Sequence, residues 1–295
     1  MIEPASFALA DGTMVQPCVP FFIAGSGRCG TTLMRRLLIQ RTGAVIPPEN
    51  YLLAVSPRLL LMAHGDWTAF CRLVLANLVK HSGRWEDFGI DAAAALGLFA
   101  ALPSDCRSVA NFWHAFHALY ARHVGRPGAT RWGDKTPSSV DALPEIAGIF
   151  PDARFIFMVR DVFDMAWSFG SMATAGRAGD YIAGARRWAD ANAKLAAFQP
   201  QHATQCITVR YEDLVHNPEA EMQRVLRHLD VKPRASGTLS AAETGDMAAQ
   251  PDLQAAIQDV HVGSVGKGRV NLPDDIRAAI AAIAGPMLIR LGYRL

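Results

Sequence analysis

The chain has 295 residues, 51% of them hydrophobic and 19% charged, and carries a formal net charge of +2 at pH 7. That composition fits a globular protein with a large core and excludes a disordered or collagen-like chain. So small a net charge, with no lysine/arginine block, argues against nucleic acid as a partner, and any electrostatic site has to be local.

The first sixteen residues carry Glu3 and Asp11 and lack the basic start and apolar core of a secretory leader. Residues 1–14 read as an N-terminal extension to a single domain covering 15–295. An apolar run predicts a buried strand over about 19–24. Gly25-Ser26-Gly27-Arg28-Cys29-Gly30-Thr31-Thr32 follows it directly. A helix is expected over about 31–41, with Leu33, Met34, Leu37 and Leu38 on one side. Glycines let the backbone curl until successive N–H groups converge, and a helix N-terminus adds partial positive charge. Between Gly25 and Arg41 stand Arg28, Arg35, Arg36 and Arg41 and no acidic residue. The turn is a cradle for an anion.

A short strand near 44–47 is expected to end at Pro47-Pro48, before Glu49. From Tyr51 to Val124 the pattern is helical, and 51–129 reads as a helical insertion over the sheet, on the acceptor side. His114 and His117 lie one helical turn apart among Phe112, Trp113 and Phe116. With no third ligand at close spacing, they read as packing residues and not as a metal site.

Arg131-Trp132-Gly133 looks like a strand edge, and Asp134-Lys135-Thr136-Pro137 leads into a helix reaching about Ile149. Arg154–Val159 is a β-rich apolar run typical of a central parallel strand. Asp161 starts a helix, another occupies roughly 180–198, and a buried strand is expected over 206–209. Helices follow at about 218–229 and 273–291. The apolar stretch 278–289 is too short to span a bilayer. Strands alternating with helices predict an α/β fold, a parallel sheet covered on both faces and resembling the P-loop nucleoside kinases in outline. Five cysteines, an odd number without C-x-x-C spacing, suit free thiols and a cytoplasmic setting.

The glycine turn matches three patterns. Gly25-x-Gly27-x-x-Gly30 is the dinucleotide fingerprint, with Glu49 at about the right distance to bind a ribose, which would suggest an oxidoreductase. Gly25-x-x-x-x-Gly30-Thr31-Thr32 has P-loop spacing, but Thr31 stands where the phosphate-reaching lysine should be. The third pattern pairs the turn with Arg160, at the end of the central strand, and Ser168 eight residues on. Helical spacing returns Ser168 to the same face, so the two can clamp a second phosphate at the edge where open α/β sheets bind ligands.

This combination resembles the sulfotransferases that use 3′-phosphoadenosine 5′-phosphosulfate (PAPS), with the bacterial enzymes similar to tyrosylprotein sulfotransferases the nearest likeness. The resemblance implies that Gly27, Arg28, Cys29, Gly30, Thr31 and Thr32 hold the 5′-phosphosulfate and Arg160 and Ser168 the 3′-phosphate. It continues through Tyr211-Glu212-Asp213-Leu214 with Asn217-Pro218-Glu219. It reaches Ser264-Val265-Gly266-Lys267-Gly268-Arg269, which looks like the family's late loop over the nucleotide and implies contacts from Ser264, Gly266, Lys267 and Arg269. One departure is Gly268, where bacterial relatives often carry Trp.

The likeness also implies Glu49, seventeen residues after Thr32, as general base. Lys135 and Arg28 would stabilise the leaving phosphate. Tyr211 reads equally as an adenine stack or a core residue, and His64, His81, His114 and His117 are the replacements should Glu49 not be the base. No aspartate cluster suggests Mg²⁺, and the family implies none. The acceptor would bear a hydroxyl and could be a small molecule, a carbohydrate, a lipid or a peptide tyrosine. A module that binds the nucleotide without transfer is the non-enzymatic alternative.

Overall fold

The structure, a computed structural model, describes residues 5–81, 85–172, 179–234, 239–241, 243–244, 260 and 262–295. Its centre is a parallel sheet in the order β4-β3-β5-β6, made of β3 (Phe21–Gly25), β4 (Gly133–Asp134), β5 (Arg154–Val159) and β6 (Cys206–Arg210). β3 and β5 pair from Phe21↔Arg154 to Gly25↔Met158, and β5 pairs with β6 from Phe155↔Cys206 to Val159↔Arg210. All strands run the same way, so Gly25, Asp134, Val159 and Arg210 end at one edge of the sheet.

Alternation along the strands builds two cores. Phe22, Ala24, Phe155 and Phe157 face a large aromatic cluster that includes Trp67, Phe70, Phe112, Trp113 and Trp132. Phe21, Ile23, Ile156, Met158 and Val209 face the other side, against α1 (Thr31–Thr42) and the helix Pro218–Leu229. A third cluster joins α7 (Val162–Gly170), α8 (Tyr181–Phe198) and the C-terminal helix Asp274–Arg290. The sheet is therefore covered on both faces, as the alternation of strands and helices predicts.

The stretch 51–129 contains no strand among its described residues and is built on α2 (Ser56–Met62), α3 (Trp67–His81), α4 (Ala92–Ala100) and α5 (Val109–His123). Its aromatics form core. His117 stacks on Trp132 with ring centroids 3.7 Å apart, and His114 Nδ1 accepts a bond of 2.9 Å from Trp132 Nε1. Burial pushes the His114 and His117 imidazoles down, to about 4 and about 3. Both are neutral packing groups, which removes them as replacement bases.

Two expectations change. The strand near 44–47 is only a single bridge, Val45↔Trp132. Val45 N–H donates to Arg131 and its carbonyl accepts from Gly133, but Pro47 and Pro48 have no N–H to continue the ladder. The expected N-terminal extension supplies a small antiparallel ribbon, β1 (Phe7–Ala8) with β2 (Met14–Val15). Phe7, Leu9 and Val15 are buried in the large core, and Arg122 on α5 bonds Asp11. No helix among the described residues is long and apolar enough to cross a membrane.

Candidate functional site

Every strand of the sheet delivers something to its carboxyl edge. β3 delivers the glycine turn, whose backbone is left-handed at Gly27 (φ 78°), Arg28 (φ 54°) and Gly30 (φ 93°). Successive residues of this hand turn their N–H groups into one concavity, the geometry of an anion nest. Gly30 is the N-cap of α1 and brings no side chain to cap it. A Cβ at residue 30 would lie 2.6 Å from the Tyr211 ring, so glycine is required there twice over. The Cys29 side chain is fully buried beneath the turn, where burial pushes its thiol up, so it offers the site its backbone alone. Thr31 and Thr32 are buried in the first turn of α1.

β5 delivers Arg160. Its guanidinium turns toward the glycine turn: Nη1 donates to the Arg28 carbonyl at 3.1 Å and Nη2 to the Ser264 carbonyl at 2.6 Å. Its Nε is buried without a hydrogen-bond partner among the described residues. Arg28 Nε donates to Ser168 Oγ at 3.1 Å, so Arg28, Arg160, Ser168 and Ser264 form one cluster. β6 delivers Tyr211, whose ring lies 4.5 Å from the Arg160 guanidinium and directly under Gly30. Tyr211 is buried, and Arg160 covers its face.

β4 delivers Lys135, which is 1% exposed and ion-paired to Glu49 Oε1. Glu49 Oε2 accepts a 2.6 Å bond from the Tyr51 hydroxyl. Burial alone would raise the Glu49 carboxyl, but the Lys135 charge and the bonds from Lys135 and Tyr51 outweigh it and hold the group below the usual carboxylate value. Asp134 and Thr136, flanking Lys135, fasten both ends of Asn50. Asn50 Nδ2 donates to Asp134, and the Thr136 hydroxyl bonds the Asn50 N–H (3.2 Å) and carbonyl (3.1 Å). The strand that carries the lysine thus also fixes the segment that carries the glutamate. Burial, reinforced by the Glu49 charge, pushes the Asp134 carboxyl up to about 7. Arg35, fully buried on α1, anchors the same segment through Ile46, its Nε donating to that carbonyl at 2.9 Å.

The late loop is held by α7. Asp164, 1% exposed, accepts from Gly266 N–H and Gly268 N–H at 2.7 Å each. A Cβ at residue 268 would lie 2.0 Å from the Phe163 carbonyl oxygen, so Gly268 cannot carry a side chain in this packing. That accounts for glycine, and not tryptophan, at this position. Lys267 is exposed at the start of the short helix Lys267–Asn271. Arg269 turns the other way. It ion-pairs with Asp161 at 2.7 Å, bonds the Arg294 carbonyl, and lies 4.6 Å over the Phe163 ring.

Sequence reasoning missed five participants. Arg187, from α8, donates to the Ser26 carbonyl at 2.7 Å, and its neighbour Trp188 donates to the Arg160 carbonyl at 2.8 Å. Glu212 accepts from the Asp161 N–H at 2.9 Å. Asn50 and Asp164 act across 84 and more than 100 residues of chain. Only Glu212 had a signal, as part of the Tyr211–Leu214 segment. No group of three or more potential metal ligands occurs among the described residues.

The sequence model of the sulfotransferase family matches residues 20–234. Over 283 residues the chain is 29% identical to protein-tyrosine sulfotransferase 1 of Danio rerio, covering 92% of this chain and 71% of that protein. Over 293 residues it is 27% identical to the protein-tyrosine sulfotransferase of Drosophila melanogaster, covering 92% of this chain and 51% of that one. The chain therefore spans from about half to 71% of the length of these relatives. Among solved structures, it is similar to the sulfotransferase domain of the Synechococcus PCC 7002 olefin synthase, with a TM-score of 0.58, 20% identity and coverage of 95% of this chain and 96% of that one. That likeness carries the fold alone.

Proposed function

Because this chain belongs to the sulfotransferase family, we propose that it moves the sulfuryl group of PAPS to a hydroxyl acceptor. The observation that carries the reading is the position of Arg160, whose guanidinium joins the glycine turn to the late loop through the Arg28 and Ser264 carbonyls. That guanidinium is thereby held beside the anion turn, where a nucleotide with phosphate at both ribose oxygens needs a second positive group. The partnerless buried Nε of Arg160 and the left-handed turn fit such an anion.

In this reading the N–H groups of Gly27 to Thr32 cradle the 5′-phosphosulfate. Arg160, Ser168 and the Arg28 side chain, which bonds Ser168 and is reassigned here from the leaving phosphate, take the 3′-phosphate, with Ser264 and Lys267 alongside; the Gly266 N–H is taken by Asp164. Tyr211 serves from beneath, holding Arg160 and Gly30, and not as a stack for adenine. Arg269 serves at one remove, by tying the late loop to Asp161. The donor supplies an activated sulfuryl group and a phosphate leaving group.

Lys135 has three N–H donors and spends one on Glu49, leaving others to stabilise charge that develops on the bridging oxygen. Glu49, held ionised, accepts the proton of the acceptor hydroxyl, a role worth roughly 10²–10⁴ in rate. The Lys135–Glu49 pair argues against a binding module, since holding a nucleotide needs no base. It also argues against the dinucleotide reading, in which Glu49 would bond a ribose. Similarity to protein-tyrosine sulfotransferases favours a phenolic hydroxyl among the possible acceptors.

Melting curves test the donor site. Adenosine 3′,5′-bisphosphate should stabilise the protein by about 2.7 kcal/mol at a hundred times its Kd, where NADH and Mg-ATP do not. Stabilisation by NADH alone would overturn the reading. Transfer of labelled sulfate from PAPS, scanned over phenols, sugars and lipid alcohols, then separates enzyme from binder.

A further inference from the structure

Glu49 has two oxygens, and they are held very differently. Oε1 meets Lys135, which is 1% exposed. Removing that carboxylate from the lysine would leave a buried ammonium unpaired, which is costly. Oε2 meets the Tyr51 hydroxyl at 2.6 Å, and Tyr51 is 48% exposed and belongs to none of the apolar clusters. Of the two partners, only Tyr51 is free to exchange. The carboxylate itself is partly open, with 29% of its side chain accessible. The Arg187 guanidinium, bonded to Ser26 of the anion turn, is among the charges near enough to act on the phenol, beside Glu49 and Asp134. The Tyr51 hydroxyl therefore bonds the base within electrostatic reach of the residue that fastens the anion turn.

Resting on the sulfuryl-transfer reading above, we infer that the Tyr51 hydroxyl occupies the acceptor-oxygen position on Glu49 and gives way when an acceptor binds. It is a specificity-determining residue that favours a bound acceptor over water. An acceptor hydroxyl that leaves the buried Lys135 pair undisturbed gives its proton to Glu49 at Oε2, the oxygen to which Tyr51 already donates. Exchange of one O–H···carboxylate bond for another is nearly neutral, so an acceptor with contacts elsewhere in the site displaces the phenol readily. Water brings no such contacts and competes with a phenol tethered two residues away, at high effective concentration. The unproductive reaction this suppresses is hydrolysis. A bond forms from water oxygen to sulfur, the bond from sulfur to the bridging phosphate oxygen breaks, and the water proton passes to Glu49. Sulfate and adenosine 3′,5′-bisphosphate leave.

The test uses water as the acceptor. Full-length wild type, Tyr51→Phe and Tyr51→Phe/Glu49→Gln are incubated with labelled PAPS alone, and sulfate release is followed. Affinity for adenosine 3′,5′-bisphosphate is measured by calorimetry in parallel. Tyr51→Phe should release sulfate about threefold to tenfold faster than wild type, the scale of one partly exposed bond to a charged group. Its bisphosphate affinity should be unchanged, and the second substitution should abolish the gain. Equal or slower release by Tyr51→Phe, at wild-type bisphosphate affinity, overturns the inference and leaves the sulfuryl-transfer reading standing. A wild type that does not bind the bisphosphate overturns that reading and the inference with it.

Discussion

The turn at Gly25–Gly30 and the turn at Ser264–Gly268 use the same backbone device and complete it differently. Each starts a helix from a left-handed glycine, Gly30 at φ 93° and Gly266 at φ 80°, with no side chain capping from the N-cap position itself. In the later turn the N–H groups of Gly266 and Gly268 are satisfied from inside the protein by Asp164. The earlier turn instead has Arg28, Arg160 and Arg187 bonded in and around it. A carboxylate supplied by the chain makes a helix start into a structural joint. Arginines gathered at the same kind of start make it a receptor for an anion from outside.

The comparison is sharpest where binding and chemistry should come apart. Glu49→Gln should lower kcat by roughly 10²–10⁴ while leaving bisphosphate affinity at the early turn unchanged. Steady-state rates with calorimetry check this, and wild-type turnover would leave Glu49 without a chemical role. Asp164→Ala should act on the joint. Loss of a buried carboxylate bonded to two N–H groups should lower unfolding free energy by about 3 kcal/mol, read from denaturant curves. If stability were untouched while bisphosphate binding vanished, the later turn would be a ligand site like the earlier one.

Arg160→Ala tests the link between the two turns. Bisphosphate binding should weaken by about 1.5–3 kcal/mol, the scale of a bond to a charged group, and calorimetry at unchanged affinity would separate the turns. The remaining test is one of pH, at Asp134, whose carboxyl burial pushes up to about 7. The folded protein keeps that proton at pH values where the unfolded chain, with a carboxyl near about 4, has lost it. Its contribution to stability is complete below about pH 4 and declines as pH rises toward 7. The Tm of Asp134→Asn relative to wild type should therefore climb between about pH 4 and 7 and level off above it. A difference independent of pH would mean that the group beside Lys135 is not held protonated.

Much of the sheet edge is legible from sequence because it is local. The strand now seen as Phe21–Gly25, the glycine turn and the helix behind it are contiguous, and their chemistry follows from residue order. Arg160 and Ser168 stand on one strand end and the helix after it, so helical spacing brings them together. The 44–47 strand fails for a reason visible in the sequence: two prolines end the ladder after one bridge. Arg269 illustrates the opposite case. As a basic residue in a late loop it reads as a phosphate contact, yet its direction is fixed by Asp161, over 100 residues earlier.

Glycines, arginines and an apolar run in sequence determine that this chain has an anion cradle, since backbone freedom, charge and strand propensity belong to the residues themselves. Only the tertiary structure decides which carboxylate serves Lys135, which serves the late loop, and why residue 268 must lack a side chain. Those choices depend on the parallel register that brings distant strand ends to one edge, where burial makes each polar group take the partner the packing leaves within reach.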